Sequence, residues 1–458
     1  MRLGAASTRR TFRALANRNY RLFWTGQVVS LTGTWMQRLA QAWLVLELTD
    51  SPFALGLITT IQFLPIMTTS LFAGVLADRF PKRRILLVTQ SVMMVQSLVL
   101  AILASTPYIR VEHIYILAGI LGIASAVDNP TRQSFIVEMV GPDDLPNAVA
   151  LNSTQFNTAR IAGPSLGGVG IAVIGVAGCF YLNAFSYLAT LIGLLMMRES
   201  ELFNVPARVT GNMFKQVGAG LSYSLRTPDI ALVLLLMAML GTFGYNFTVL
   251  LPLIATYVLH SGELGFGILT SAMAVGSLGS ALWIAHSGRA TRRTLFIGAI
   301  GFTIALLVLG ISEWWALTLP VLVVLGLFSI VFTATANTRL QLMAPPEMRG
   351  RVMSLYTLLF AGTTPVGSLV IGWLAEHQSV QATVLEMAGL CALGVAIATT
   401  YLRLNATRLT PEGARPPAAA PVAEVPDAAA PMPAADVRPA GPASLVEATD
   451  DEDDPQVA

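Results

Sequence analysis

Charge is what this sequence has least of. Only 12% of its 458 residues are Asp, Glu, Lys or Arg, against the roughly 25% carried by a water-soluble domain. A chain so poor in charge, 54% hydrophobic and with a mean hydropathy of +0.65, cannot cover a soluble surface, and a bilayer is its expected surrounding. Cysteine is scarcer still: Cys179 and Cys391 are the only two, and both lie inside apolar stretches, so no disulfide framework is implied. The four histidines, His113, His260, His286 and His377, fall near the ends of such stretches without metal-ligand spacing. Interfacial polar residues are the better reading of them. Also missing are a Walker loop, a His-Glu-x-x-His and a Gly-x-Ser-x-Gly. An ATP-driven pump and a membrane hydrolase both lose their chemistry with those motifs, so the chain is not expected to be an enzyme. Neither a cofactor, a metal nor a nucleic-acid partner is expected.

What is there is apolar length. A hydrocarbon core about 30 Å thick needs about 20 apolar residues per helix, and twelve stretches qualify: 22–48, 53–76, 85–106, 114–136, 146–173, 177–197, 230–257, 264–285, 295–311, 314–343, 352–374 and 380–402. The expected fold is therefore an all-α polytopic membrane protein. Pro130 and Pro365 lie inside stretches and read as kinks rather than ends, because neighbouring helices in a membrane can re-satisfy the freed backbone groups. Basic residues mark one side. With the N-terminus in the cytoplasm, the internal segments collect the Arg residues of 1–21, the run Arg79 to Arg84 and those near Arg198, Arg292 and Arg351, while the external loops hold only Arg110. The positive-inside rule then puts both termini in the cytoplasm of a plasma (inner) membrane protein and requires an even number of crossings. The Arg-rich start runs into a span too long for a signal-peptide core, so the first helix is expected to be retained.

Two halves resemble each other across a polar stretch. Leu121-Gly122-Ile-Ala-Ser125 matches Leu325-Gly326-Leu-Phe-Ser329, Gly163-Pro164-Ser-Leu is echoed by Gly367-Ser-Leu, and Ser51-Pro-Phe-Ala-Leu-Gly56 parallels Gly262-Glu-Leu-Gly265-Phe-Gly267. Ordered recurrence of this kind is the mark of a duplicated six-helix unit, which in transporters places the substrate between the halves near the midplane. The expected domains are a cytoplasmic segment 1–21, a bundle 22–197, a linker 198–229 with an amphipathic helix over 213–225, a second bundle 230–402 and a tail 403–458. The tail is rich in Pro and Ala and ends in an acidic run, a composition too poor in apolar area to fold.

The most specific local signal is Gly74-Val-Leu-Ala-Asp78-Arg79-Phe-Pro81-Lys82-Arg83-Arg84 after the second span. It resembles the loop signature of the major facilitator superfamily, with Pro81 standing where that pattern has its second Gly. Gly163-Pro164-Ser-Leu-Gly167-Gly168 matches the core of the superfamily's antiporter motif, although Ala159 occupies the position of its upstream glycine. Together with Asn17-Arg-Asn-Tyr-Arg-Leu-Phe-Trp24, Trp35-Met-Gln-Arg38 and Asp128-Asn-Pro130-Thr-Arg132-Gln, the chain resembles the drug and siderophore efflux branch, the group of macrolide and enterobactin exporters, over about residues 12 to 405. That resemblance implies two pseudo-symmetric six-helix bundles rocking about a central cavity and exchanging protons for an exported amphiphilic drug or secreted metabolite. By the topology above, Asp78 ends the second span on the cytoplasmic side where the eleventh begins, so a gating cluster of Gly74, Asp78, Arg79, Lys82, Arg83, Arg132 and Glu138 is expected, with Asp78 at the start of the eleventh span when the cytoplasmic side is closed.

Ionisable groups inside a membrane are functional candidates by default, because a charge at the bilayer centre costs about 3 kcal/mol or more unless paired or wetted. Arg38, Arg160 and Asp128 meet that description, with Glu47 at the outer end of the first span. Uptake of a small solute by the same fold, and a non-transporting scaffold or sensor using its acidic tail, are the alternatives. The topology has a direct check: a cysteine introduced at Arg110 should react with a membrane-impermeant reagent from outside, and one at Arg289 should not, while the reverse pattern would overturn the orientation.

Overall fold

A chain that must satisfy its backbone without water has the α-helix as its local solution. The computed structural model describes residues 12–203, 213–287 and 290–405. Helices α1 (Arg18–Thr49), α2 (Pro52–Arg79) and α3 (Lys82–Ala104) come first. Next is a helical stretch of 85 residues, Val111–Leu195. A straight helix of that length would measure about 130 Å, several bilayers deep. It is not straight. Gly141 (φ 71) and Gly175 (φ 72) leave the helical region and divide it into α4 (111–140), α5 (142–174) and α6 (176–195).

A linker helix, Met213–Arg226, precedes the second half. There α7 runs as Pro228–Phe243 and resumes as Phe247–Leu253 and Ile254–Val258, and it is followed by α8 (Gly262–Ser287), α9 (Arg292–Gly310) and α10 (Trp315–Met343). The last two are α11, in two pieces (Pro346–Ala361 and Thr364–His377), and α12 (Val380–Leu404). Both cysteines are free and buried. Residues 1–11 and those after 405, the expected tail included, lie outside the described set.

Six crossings return the chain to the face where it started. The Asn19 side chain donates to the Arg198 carbonyl (2.9 Å) and accepts from the Arg198 amide (3.1 Å). In the second half Asp229, at the start of α7, pairs with Arg292 at the start of α9 (2.6 Å). This side is called the terminal face below, and the other the distal face.

The internal repeat is visible as packing. Gly122 brings α4 against the Gln62 carbonyl of α2, and Gly326, its match, brings α10 against Met273 and Ser277 of α8. The bundles themselves meet at matched glycines. A methyl group added to Gly372 of α11 would lie 3.0 Å from Gly56 Cα of α2, and one added to Gly267 of α8 would lie 3.1 Å from Gly168 Cα of α5. Gly56 pairs with Gly267 in the sequence repeat, and Gly168 with Gly372. The two crossings are thus one contact built twice. Trp43 of α1 stacks on Phe266 of α8 beside them (5.5 Å between centroids).

The structure departs from the sequence reading at three turns. The expected loop between the fourth and fifth spans shrinks to Gly141, whose positive φ turns the chain within one residue before Pro142 starts the next helix. Pro365 is a beginning rather than a kink: α11 stops at Ala361 and restarts at Thr364, with Pro365 in the first turn, where a missing N–H costs nothing. Pro130 lies within the uninterrupted helix of α4. The single stretch expected over 230–257 is broken at residues 244–246.

Because the crossings leave no room for a side chain, Gly168→Val should cost about 1–3 kcal/mol or force the bundles apart on the distal side. Melting of the purified protein, together with transport, measures both. Gly267→Val should behave alike, and unchanged stability and transport in both variants would contradict the close crossing.

A candidate substrate site between the two bundles

At mid-membrane two helices of the second bundle are interrupted, and an arginine of the first bundle faces them. Gly244, Tyr245 and Asn246 interrupt α7, and Gly362 and Thr363 interrupt α11. The breaks are neighbours: a methyl group on Gly367 would lie 2.5 Å from Asn246 Nδ2. Discontinuous helices of this kind are how transporter folds present backbone groups to a cavity. Tyr245 anchors the region. Its ring stacks on Phe302 (4.7 Å between centroids, 8° between planes) and meets Phe360 edge-on (5.5 Å), while its hydroxyl donates to the Ser329 carbonyl (2.7 Å). Phe360 in turn stacks on Tyr356 (6.0 Å).

Arg160 of α5 reaches this aromatic platform from the other bundle, its guanidinium carbon 5.4 Å from the Phe360 centroid. Arg38 of α1 lies between two rings, 4.9 Å from Trp35 and 4.9 Å from Phe63 of α2. Its Nε is buried and makes no hydrogen bond. Among the described residues neither arginine is in an ion pair. Cation–π contacts contribute about 0.5–2 kcal/mol each, less than the cost of a charge at the bilayer centre. Both arginines therefore carry positive charge that no described carboxylate neutralises, and Arg160 carries it at the interface between the bundles.

The other expected residues are placed elsewhere. Asp128 accepts from Thr89 Oγ1 (2.9 Å) and Gln90 Nε2 (2.8 Å) of α3 and pairs with Arg132 (3.4 Å). Arg132 donates to Gln27 (2.9 Å) and to Asn129. Three partners hold Asp128, so its surroundings make it a fastener of α1, α3 and α4 rather than a substrate contact. Lys82 pairs with Glu138, and Arg83 pairs with Glu199 while donating to the carbonyls of Leu194 (2.7 Å) and Leu195 (3.1 Å). These cations of the gating cluster thus tie the first bundle to itself. Gly74, Asp78 and Arg79 fall in the part of α2, residues 69–79, whose side chains lie outside the described residues, and so does the expected tie from Asp78 to α11. Glu47 lines a cavity of about 400 Å³ at the distal face with Asp50 and Glu263. In the antiporter-type motif, Gly163 and Gly167 seat α5 on Trp35, Met36 and Leu39 of α1, leaving Gly168 for the crossing with α8, while Pro164 stays within helix.

Reading for ionisable groups alone passed over a buried amide network in the first bundle. Gln37 accepts from Ser97 (2.6 Å) and Asn183 and donates to Gln96 (3.1 Å), and Gln62 donates to Gln41 (3.0 Å). The repeated Gln of α1 was its signal. Gly244-Tyr245-Asn246 inside an apolar stretch was the signal for the broken helix.

Two six-helix bundles related by an internal repeat, broken helices at the midplane and a cation between the halves, Arg160, with no ion pair among the described residues define a secondary transporter. The model of the transmembrane secretion effector family matches residues 9–425, and the chain belongs to that family of the major facilitator superfamily. It is 25% identical over 363 residues to the Staphyloferrin A transporter of Staphylococcus aureus, covering 77% of this chain and 89% of that protein. To the Enterobactin exporter EntS of Shigella boydii it is 24% identical over 396 residues, covering 86% and 94%. Among solved structures, it resembles an inward-facing bacterial homolog of the human lysosomal transporter Spinster (TM-score 0.65, 12% identity, 86% of this chain and 99% of that one). A POT family transporter in complex with 5-aminolevulinic acid is likewise similar in fold (TM-score 0.68, 11% identity, 86% and 97%).

Removing one member of the Asp128–Arg132 pair leaves an uncompensated buried charge, which costs about 3–5 kcal/mol. Asp128→Ala should therefore unfold at markedly lower temperature, and Asp128→Ala combined with Arg132→Met should recover most of the loss. Full stability of the single variant in a melting experiment would restore Asp128 as a candidate for coupling.

Proposed function

We propose that the chain exports an amphiphilic organic anion, a secreted metabolite of the siderophore kind, across the inner membrane by alternating access. The carrying observation is Arg160, which meets the Phe360 ring across the bundle interface, together with Arg38 between two rings of the first bundle, neither paired to a carboxylate among the described residues. Rings accept the apolar body of such a compound, and the guanidinium groups accept its charge with hydrogen bonds of fixed geometry. Two relatives named for staphyloferrin A transport and enterobactin export support a secreted metabolite over a nutrient, as does the Gly-Pro-x-x-Gly-Gly element. Basic residues on the terminal face, Arg18, Lys82, Arg83, Arg198 and Arg292 among them, support a cytoplasmic assignment for that side, so the distal contacts close the outside. Protons are the proposed coupling ion. Glu47 and Glu263, in the distal cavity, are the carboxylates placed to meet them first.

A hydrogen bond to a charged group contributes about 1.5–3 kcal/mol. Arg160→Ala should therefore lower export of an anionic amphiphile about tenfold or more at unchanged protein abundance, and Arg160→Lys should restore part of it. Compound retained by cells expressing each variant is the measurement. Wild-type export by Arg160→Ala and Arg38→Ala would remove both residues from binding and the anionic substrate with them.

A further inference from the structure

The distal ends of α2 and α11 carry a contact that the substrate site does not use. Ser51 begins α2: its Oγ accepts from the Ala54 amide (3.1 Å), and Pro52 occupies the first helical position. The carboxylate completing this cap comes from the other bundle. Glu376 Oε2, near the end of α11, accepts from Ser51 Oγ (2.9 Å) and from the Phe53 amide (3.0 Å). Below it, at about one turn of α2 per step, Gly372 crosses Gly56, and Thr60 Oγ1 donates to the Pro365 carbonyl (2.9 Å). The contacts form a ladder down one seam, and its top rung is its only ionic one.

We infer that Glu376 is a gate residue, which holds the transporter closed on the distal side by capping α2 across the bundle interface. The lower rungs are packing and neutral hydrogen bonds. Glu376 adds a full negative charge at the positive end of a helix dipole, where amide donors have no partner within the helix. It is also exposed to solvent, so when the bundles part it returns to water, and the whole of its interaction counts in the difference between the two states. A second tie stands beside it: the Tyr257 hydroxyl of α7 donates to Asp50 Oδ1 (2.6 Å) and to the Asp50 carbonyl (3.0 Å), with Asp50 held at φ 46 as the C-cap of α1. That left-handed conformation, which Asp tolerates better than most residues, turns both oxygens toward the second bundle. Glu376 does at this end of the α2 and α11 pair what Asp78 is expected to do at the other, with the roles of the helices exchanged.

This assignment rests on alternating access and not on the identity of the substrate, so its test uses none. Spin labels at Tyr108→Cys and Glu313→Cys, in distal loops of the two bundles, report the separation in full-length protein lacking Cys179 and Cys391. A carboxylate at an exposed helix N-terminus is equivalent to a factor of about two to five in a two-state ratio. Glu376→Ala should raise the ratio of distal-open to distal-closed protein by that factor, with an unchanged melting temperature. Glu376→Gln, which keeps an oxygen acceptor without its charge, should fall between alanine and wild type. Distance distributions identical to wild type in Glu376→Ala would overturn the assignment, and so would a lowered melting temperature with unmoved populations. Because no substrate is present, failure of the Arg160 reading would leave this result untouched.

Discussion

Everything in this structure depends on bare backbone meeting bare backbone at the two places where the bundles cross. Lipid tails are as apolar as leucine, so no hydrophobic force drives helices together inside a membrane. Association relies on van der Waals contact over closely fitted surfaces and on hydrogen bonds. Gly56 with Gly372 and Gly168 with Gly267 supply that fit, and because they are one contact repeated, the bundles close on each other at two equivalent points. Such contacts suit a moving machine: they are close enough to exclude solvent, and neither buries a polar group that would be stranded when they separate.

Polar chemistry is arranged around that constraint in two ways. Within the first bundle many charges and amides find partners inside it, as in Asp128 with Arg132, Thr89 and Gln90, or Gln37 with Ser97 and Asn183, while Gln27 Nε2, Gln90 Oε1 and Gln96 Nε2 have none among the described residues. These bonds tie α1, α3, α4 and α6 to one another. Between the bundles fewer polar partners are present. Arg160 meets the ring of Phe360 there, with no ion pair among the described residues, and the backbone of α7 and α11 comes out of helix beside it. A cavity that must release its ligand is best left incomplete, so that the substrate supplies the missing partner in passing.

Much of this was legible in the residues. Twelve apolar stretches, the duplicated segments and the loop signature required helical bundles in two related halves, because a bilayer permits few other solutions and a repeat must fold the same way twice. Arg38 and Arg160 stood out because cations are costly in hydrocarbon. Pro365 and the loop expected between the fourth and fifth spans were misjudged for a local reason: within an apolar run, a proline that bends a helix and one that starts a new segment look alike, and a single glycine can replace a loop.

The amino-acid sequence by itself thus determined the membrane environment, the helical class, the internal repeat and the short list of buried charges, since each follows from composition and periodicity along one chain. Tertiary structure decided which of those charges are already paired, where helices break, and which ends of the bundles touch. Asp128 and Arg160 read alike in sequence. Helix rotation aims one at Thr89 and Gln90 and the other at Phe360. The Glu376 cap on α2 joins residues 325 positions apart, a proximity that only the packing of α11 against α2 can create.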